Sequence, residues 1–451
     1  MERNAPWWRE PTRAQWAAFA AAWVGWVLDA FDFTIFICVT ASVSKEFGVS
    51  PTAVAGSLTL TLLVRLAGGV IAGWIADRWG RRLPLMLSLL WFAAFDAAIY
   101  FAPSFAWLLV LRTLFGFGMG AEWTAGTALA MESLPPRCRG FASGLLQAGW
   151  PIGFLLAAAL ASWIVPAYGW RAMFLIAAVP ALAVLPIRML VPDDGARSAV
   201  RAKQGRPTPW AEGPPFTGRE KSRGMLSDLA VPQVRTMLVL GSLVMALGFV
   251  VYYGMTTSYI GMQLERAACG STDGACLAGA AAIGWSGLVY FNVGMLVGVV
   301  AAGWIANRFG LIAALVTPAL LMVPALPLFV GAWPHAAMFG AFLGGALGVG
   351  YSGVTPMLTT SLFAEPVRAR AIGIVYHVGA LLAAFIPTLV PALSHAAGLS
   401  LATTVEIVVG IGLVGMSGAV LALRKRLVPR SEAATLSSSE AADEGLRESL
   451  A

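Results

Sequence analysis

Seven ionisable side chains stand inside stretches that are otherwise apolar: Asp29, Asp32, Arg65, Asp96, Arg112, Glu122 and Glu406. A charge at the middle of a bilayer costs about 2.5–3.5 kcal/mol on insertion scales, so such residues are kept where they bind an ion or move a proton. Asp29 and Asp32, in LDAFDF, share one helix face. Two neighbouring carboxyls can hold one proton between them, loading it on one side of a membrane and releasing it on the other. Permanent pairing of either with an arginine is the structural alternative. Arg65, in TLLVRLAGG, precedes Asp77 by twelve residues, which is ~18 Å along a helix. A guanidinium at that depth either anchors an anion, whose carboxylate fits its fork, or neutralises a buried acid. Glu122 lies ten residues beyond Arg112 and is a candidate partner for it or a second proton site. Asp96 joins this proton-handling set; Glu406 has no assigned role.

These side chains need helices that cross a membrane. Hydrophobic residues make up 58% of the 451 and charged residues 12%, about half the charge of a soluble globular domain. Mean hydropathy is +0.76. The apolar runs predict twelve transmembrane helices, at 16–40, 53–76, 84–101, 106–131, 140–164, 171–190, 236–262, 279–306, 311–331, 336–362, 371–392 and 399–423. No alternation marks a β-barrel, and the first run is too long for a signal-peptide core. With the N-terminus inside, nearly all arginines fall on cytoplasmic segments. The net charge of +7 therefore reports topology in a lipid bilayer rather than nucleic-acid binding. The expected place is a bacterial-type inner membrane, with both termini cytoplasmic. Cys269 and Cys276 flank an external loop, CGSTDGAC, where an oxidising compartment can close them into a disulfide.

The chain writes one phrase twice: GWIADRWGRR at Gly73–Arg82 and GWIANRFGLI at Gly303–Ile312, 230 positions on. RGFASG at Arg139–Gly144 returns as RARAIG at Arg368–Gly373 with almost the same offset. A duplicated unit of six helices follows, its two copies running in the same direction. The expected organisation is an N-terminal arm (1–15), a six-helix bundle (16–190), a cytoplasmic linker (191–235), a second bundle (236–424) and a disordered cytoplasmic tail (425–451). In the first phrase Asp77 sits beside Arg78, Arg81 and Arg82, a group suited to an electrostatic gate together with Arg139. In the second, Asn307, Leu311 and Ile312 replace Asp77, Arg81 and Arg82. The expectation is that the first copy latches and the second keeps only the turn.

GWIADRWGRR resembles the signature loop of the major facilitator superfamily, matched at Gly73, Asp77, Arg78, Gly80, Arg81 and Arg82; Gly169–Arg171 and Arg112 are also similar to that superfamily. LDAFDF, LTLTLLVRLAGG and GFGMGAEWTAGTALAMES resemble its sialate:proton symporter group, which includes sialic acid transporters and lactate/pyruvate permeases. The positions that carry over are Asp29, Asp32, Arg65, Glu122 and Glu132. The resemblance implies an all-α major facilitator fold of two pseudo-twofold related bundles, and proton-coupled uptake of an organic carboxylate, such as lactate, pyruvate or sialic acid, by alternating access. The seventh span, MALGFVVYYGMTTSYIGM, lacks the polar motif typical of lactate permeases, and aromatic acids or efflux of drugs or metabolites are the alternatives.

Polar residues expected to complete a substrate site between the halves are Gln147, Tyr252, Tyr253, Asn292, Tyr376 and His377. The four lysines, Lys45, Lys203, Lys221 and Lys425, fit no G-x4-GK-[ST] loop, and the three histidines lack metal-ligand spacing. The expectation is a transporter acting as a monomer, not an enzyme, with no metal or cofactor and with protons as coupling ion.

Overall fold

The computed structural model describes residues 10–179, 229, 231–267, 274–331, 336–364 and 367–427. A backbone in lipid must satisfy its own hydrogen bonds, and each apolar stretch among the described residues is helical. The first half contributes α1 (Arg13–Phe47), α2 (Pro51–Trp79), α3 (Arg82–Tyr100), α4 (Phe105–Ser133) and α5 (Arg139–Tyr168). Residues 171–179 open α6. The rest of the expected sixth span and most of the 191–235 linker lie outside the described residues, as do Cys269 and the tail beyond 427. Cys276 is disulfide-bonded.

The second half contributes α7 (Pro232–Ala267), α8 (Gly274–Phe309), α9 (Leu311–Phe329), α10 (Ala337–Leu362), α11 (Arg368–Ala397) and α12 (Leu401–Leu427). Among the described residues, eleven helices are long and apolar enough to cross a membrane. Helix α1 begins inside the expected arm because Thr12 and Gln15 form a reciprocal capping box. Helix α10 is not regular: its glycine-rich stretch runs through a π-turn (Gly344–Gly348) and a tight turn (Gly350–Val354) before resuming. Such bulges collect at functional sites. Here it carries Val349, Tyr351, Ser352 and Thr355 into the central cavity.

Within the halves, α2 packs on α4, α1 on α5, and α7 on α11 and α12. The halves meet along two seams, α5 against α8 and α2 against α11. Exchanging the halves turns one seam into the other, as a duplicated unit requires. Gly144 and Gly303 bring the α5 and α8 backbones together, where a Cβ on either would lie 3.2 Å from the other's Cα. Gly80 and Gly310, equivalent in the repeated phrase, both hold positive φ, 96° and 90°. That conformation ends α2 and α8 alike at what is here called the basic end.

Candidate functional site

A cavity lies between the halves. Half of its lining residues are aromatic, Trp26, Phe33, Trp150, Phe249, Tyr252, Tyr253, Tyr351 and Tyr376, with Gln147 and Thr355 among the polar members. Among the described residues lining it, Arg65 is the charged one. Arg65 is 3% exposed; its Nη2 donates to Asp29 Oδ2 at 2.9 Å, and its guanidinium lies 5.5 Å from the Tyr376 ring centre. Arg65 Nε and Asp29 Oδ1 remain without hydrogen-bond partners. The pair is thus joined through one edge of each fork, which is half of what a guanidinium and a carboxylate can exchange.

The rings form a continuous stack: Trp26 contacts Trp123 (4.5 Å between centroids) and Trp150 (5.0 Å), and Tyr376 stacks on Trp123 at 4.2 Å. Trp150 Nε1 donates to the Tyr252 hydroxyl at 2.9 Å, bridging the two halves. Gln147 donates to Thr355 Oγ1 at 3.5 Å, also between halves. Gln147, Tyr252, Tyr253 and Tyr376 therefore line one cavity with Arg65.

Two expected substrate residues stand elsewhere. Asn292 is buried in the second bundle, where its amide donates to Leu288 O in its own helix. His377, one residue after Tyr376, faces the other way around α11: its Nε2 lies 3.1 Å from Gly120 O, and its ring fills the space above Gly69. Successive helical residues point about 100° apart, so Tyr376 and His377 cannot share the cavity. His377 packs one half onto the other.

The expected Asp29–Asp32 pair is divided. Asp29 turns to Arg65 on α2, whereas Asp32 meets Asp96 on α3, and both Asp32 and Asp96 lie in the field of Arg112. Glu122 does not partner Arg112. Ten residues separate them by ~15 Å along α4, and Glu122 accepts from Ser88 Oγ at 2.9 Å instead. Glu406 is half-buried on α12.

At the basic end, Asp77 reaches across to the first turn of α11. Its Oδ1 accepts from Ala369 N, and its Oδ2 from Arg370 N and Arg370 Nε, each at 3.1 Å. It thereby caps otherwise unpaired N–H groups at the positive end of a helix dipole. Arg81 approaches Asp77 at 3.4 Å and donates to Glu132, which also accepts from Arg368 across the seam at 2.9 Å. Arg139 adds a third cation near Arg368 and Glu132. Arg78 turns outward instead, onto the rings of Trp74 and Trp79, while Arg82 opens α3. Glu132 was missing from the expected gate, although it ends a motif the sequence analysis singles out.

One expectation is overturned here. Asn307, in the second copy, does more than keep a turn: its Oδ1 accepts from Gly140 N at 3.1 Å, capping the first turn of α5 across the other seam. Asparagine keeps the carbonyl acceptor that an N-terminal cap needs, so loss of charge did not abolish the contact. At the opposite end, Glu46 bonds to Trp170 and Arg171, and Glu265 accepts from Leu401 N, contacts that stay within one half. The described cross-half hydrogen bonds run from the basic end only as far as Trp150.

A family model described as Major Facilitator Superfamily matches residues 22–287. Over 204 residues the chain is 36% identical to a probable 4-methylmuconolactone transporter of Cupriavidus pinatubonensis, covering 44% of this chain and 47% of that one. It is 27% identical to a cis,cis-muconate transport protein of Acinetobacter baylyi over 85% of this chain and 89% of the relative. The solved structure of the proton:xylose symporter XylE superposes with a TM-score of 0.68 at 19% identity, covering 92% and 96% of the two chains. That likeness concerns the fold.

Proposed function

This chain belongs to the major facilitator superfamily of transporters, and from that premise we propose that it carries a small, flat organic acid into the cell together with a proton. The observation that supports this reading is the half-made Arg65–Asp29 pair on an aromatic cavity wall. An incoming carboxylate competes with Asp29 for the guanidinium and offers it two-point contact. Asp29, displaced into surroundings that are 0% exposed, cannot stay charged without a partner and takes up a proton. The carboxylate that Arg65 takes arrives with one proton on Asp29, so the groups around Arg65 keep their net charge while the halves rock.

The lining argues for the class of acid. Aromatic pairs contribute about 0.5–1.5 kcal/mol beyond burial, which a conjugated or aromatic acid can collect from Trp26, Trp150 and Tyr376. Lactate offers no flat face, and the hydroxyls of sialic acid meet few partners among these rings, which costs affinity. The muconate named for one relative is a flat, conjugated acid of this kind. In the state described, the basic end, facing the cytoplasm, is sealed by the Asp77, Glu132 and Asn307 contacts. Breaking them opens the route inward.

Arg65→Ala is expected to remain in the membrane and to lose uptake of labelled cis,cis-muconate, with competition in the wild type ranking conjugated acids above lactate and sialic acid. Uptake retained by Arg65→Ala removes the anchor; preference for lactate or sialic acid removes the aromatic reading.

A further inference from the structure

The duplication that set the two seams also set the two ends of the cavity. Met295 stands 230 positions after Arg65, the offset of the repeated phrase, and Tyr376 stands 229 after Gln147. The helices keep that register: Gly68 packs against the Phe117 carbonyl, and Gly298 against that of Ala346. Arg65, Gln147, Met295 and Tyr376 all line the cavity, and none is more than 5% exposed. One pole thus holds Arg65 beside the Tyr376 ring, and the two-fold related pole holds Met295 and Gln147 in their places. A guanidinium faces one end of a bound molecule, and an uncharged thioether faces the other.

Hydrogen bonding at the second pole is incomplete. Gln147 Nε2 donates to Thr355 Oγ1 at 3.5 Å, and Thr355 Oγ1 donates its own hydrogen to Ser352 O at 2.8 Å. With that hydrogen engaged, Thr355 can only accept from the amide, which leaves the Gln147 carbonyl as the free side. Gln147 Oε1 has no partner, and neither has Ser352 Oγ, although both atoms are buried. A buried polar atom without a partner is unfavourable, and a cargo that completes its hydrogen bond removes that penalty. Rings join the poles: Tyr376 contacts Trp26, and Trp26 contacts Trp150, three residues after Gln147 on α5.

We infer that the Gln147–Met295 pole receives the far end of the acid, and selects an uncharged end bearing a hydrogen-bond donor, an amide or a hydroxyl, over a second carboxylate. The inference rests on the reading of Arg65 as the acid's anchor. With its carboxylate on Arg65, a flat acid lies along Tyr376, Trp26 and Trp150, and its opposite end reaches Gln147, on the same face of α5 as Trp150. A donor there bonds to Gln147 Oε1, and the oxygen of the same group accepts from Ser352 Oγ. A second carboxylate brings no hydrogen to Oε1 and meets no further cation among the described lining residues. A buried charge without a counter-charge is strongly disfavoured. The hydroxyls of Tyr253 and Tyr351 can donate to it but bring no positive charge. A flat dicarboxylate such as muconate still binds through Arg65, at reduced affinity.

Three flat acids of similar size test the inference by binding calorimetry on the purified protein at neutral pH: terephthalate, 4-carbamoylbenzoate and 4-methylbenzoate. Terephthalate then carries two charges and the others one. The wild type is expected to bind 4-carbamoylbenzoate about tenfold or more tighter than terephthalate, and about fivefold tighter than 4-methylbenzoate. Gln147→Leu should bring the amide down to the level of the methyl acid, and Met295→Arg should place terephthalate first. Terephthalate equal to or above the amide in the wild type overturns the inference. So does an equal loss of all three acids in Gln147→Leu, or an unaltered order in folded Met295→Arg. Should Met295→Arg fail to fold, the wild-type order and Gln147→Leu decide without it. Failure of the anchor reading shows separately, as 4-carbamoylbenzoate binding retained by Arg65→Ala, and failure of the flat-acid reading as no binding of any of the three to the wild type.

Discussion

Asp77 and Asn307 occupy the same place in a repeated phrase, and each crosses a seam to cap the first turn of a helix in the other half. The charged copy accepts from two backbone N–H groups and from the Arg370 guanidinium; the neutral copy accepts from one N–H. Geometry has survived duplication while the energy at the two seams has drifted apart. A moving joint needs only one strong latch if its partner keeps the register. The α5–α8 seam keeps it through close backbone contact at Gly144 and Gly303, and the α2–α11 seam carries the charge.

The largest expected effect comes from removing the strong side. Asp77→Ala leaves Arg370, 1% exposed, without its carboxylate, and breaking one partner of a buried pair costs about 3–5 kcal/mol. Spin labels at Arg137 and Arg308, exposed on opposite halves, should then report separation at the basic end, and an unchanged distance breaks the comparison. Glu132→Gln comes next, because it loosens Arg81 and Arg368 together; about 1.5–3 kcal/mol is expected for hydrogen bonds to charged groups, read as partial separation of the same labels. Asn307→Ala should cost only about 0.5–1.5 kcal/mol, leaving the basic end mostly closed. Asn307→Asp is the smallest and has the opposite sign: a charge restored at a helix N-terminus adds about 0.3–1 kcal/mol of closure. It should narrow the label distances and slow transport. If Asn307→Ala opens the molecule as far as Asp77→Ala, the two seams are equals and the comparison fails.

Much of this was legible in the sequence, for identifiable reasons. Helices in lipid are written in hydropathy, and the offset between two phrases announces two bundles. Arg65 was legible because a lone cation so deep in an apolar run has few uses. Pairing was harder to read. Asp29 and Asp32 share a face in spacing, but their partners Arg65 and Asp96 come from α2 and α3, and sequence distance carries no record of that. Tyr376 and His377 look alike as neighbours, and only the helix rotation separates a cavity residue from a packing one. At Asn307 a missing charge does not mean a missing contact, because a cap needs an acceptor rather than a charge.

The central claim is the exchange of partners at Arg65. The most direct measurement is the number of protons taken up when cis,cis-muconate binds the purified protein, from binding calorimetry in buffers of different ionisation enthalpy. The account predicts one proton per muconate bound in the wild type, for the one carboxylate that Arg65 takes, binding without proton uptake in Asp29→Asn, and no binding in Arg65→Ala. Binding to the wild type with no proton taken up, or uptake that persists in Asp29→Asn, would contradict it.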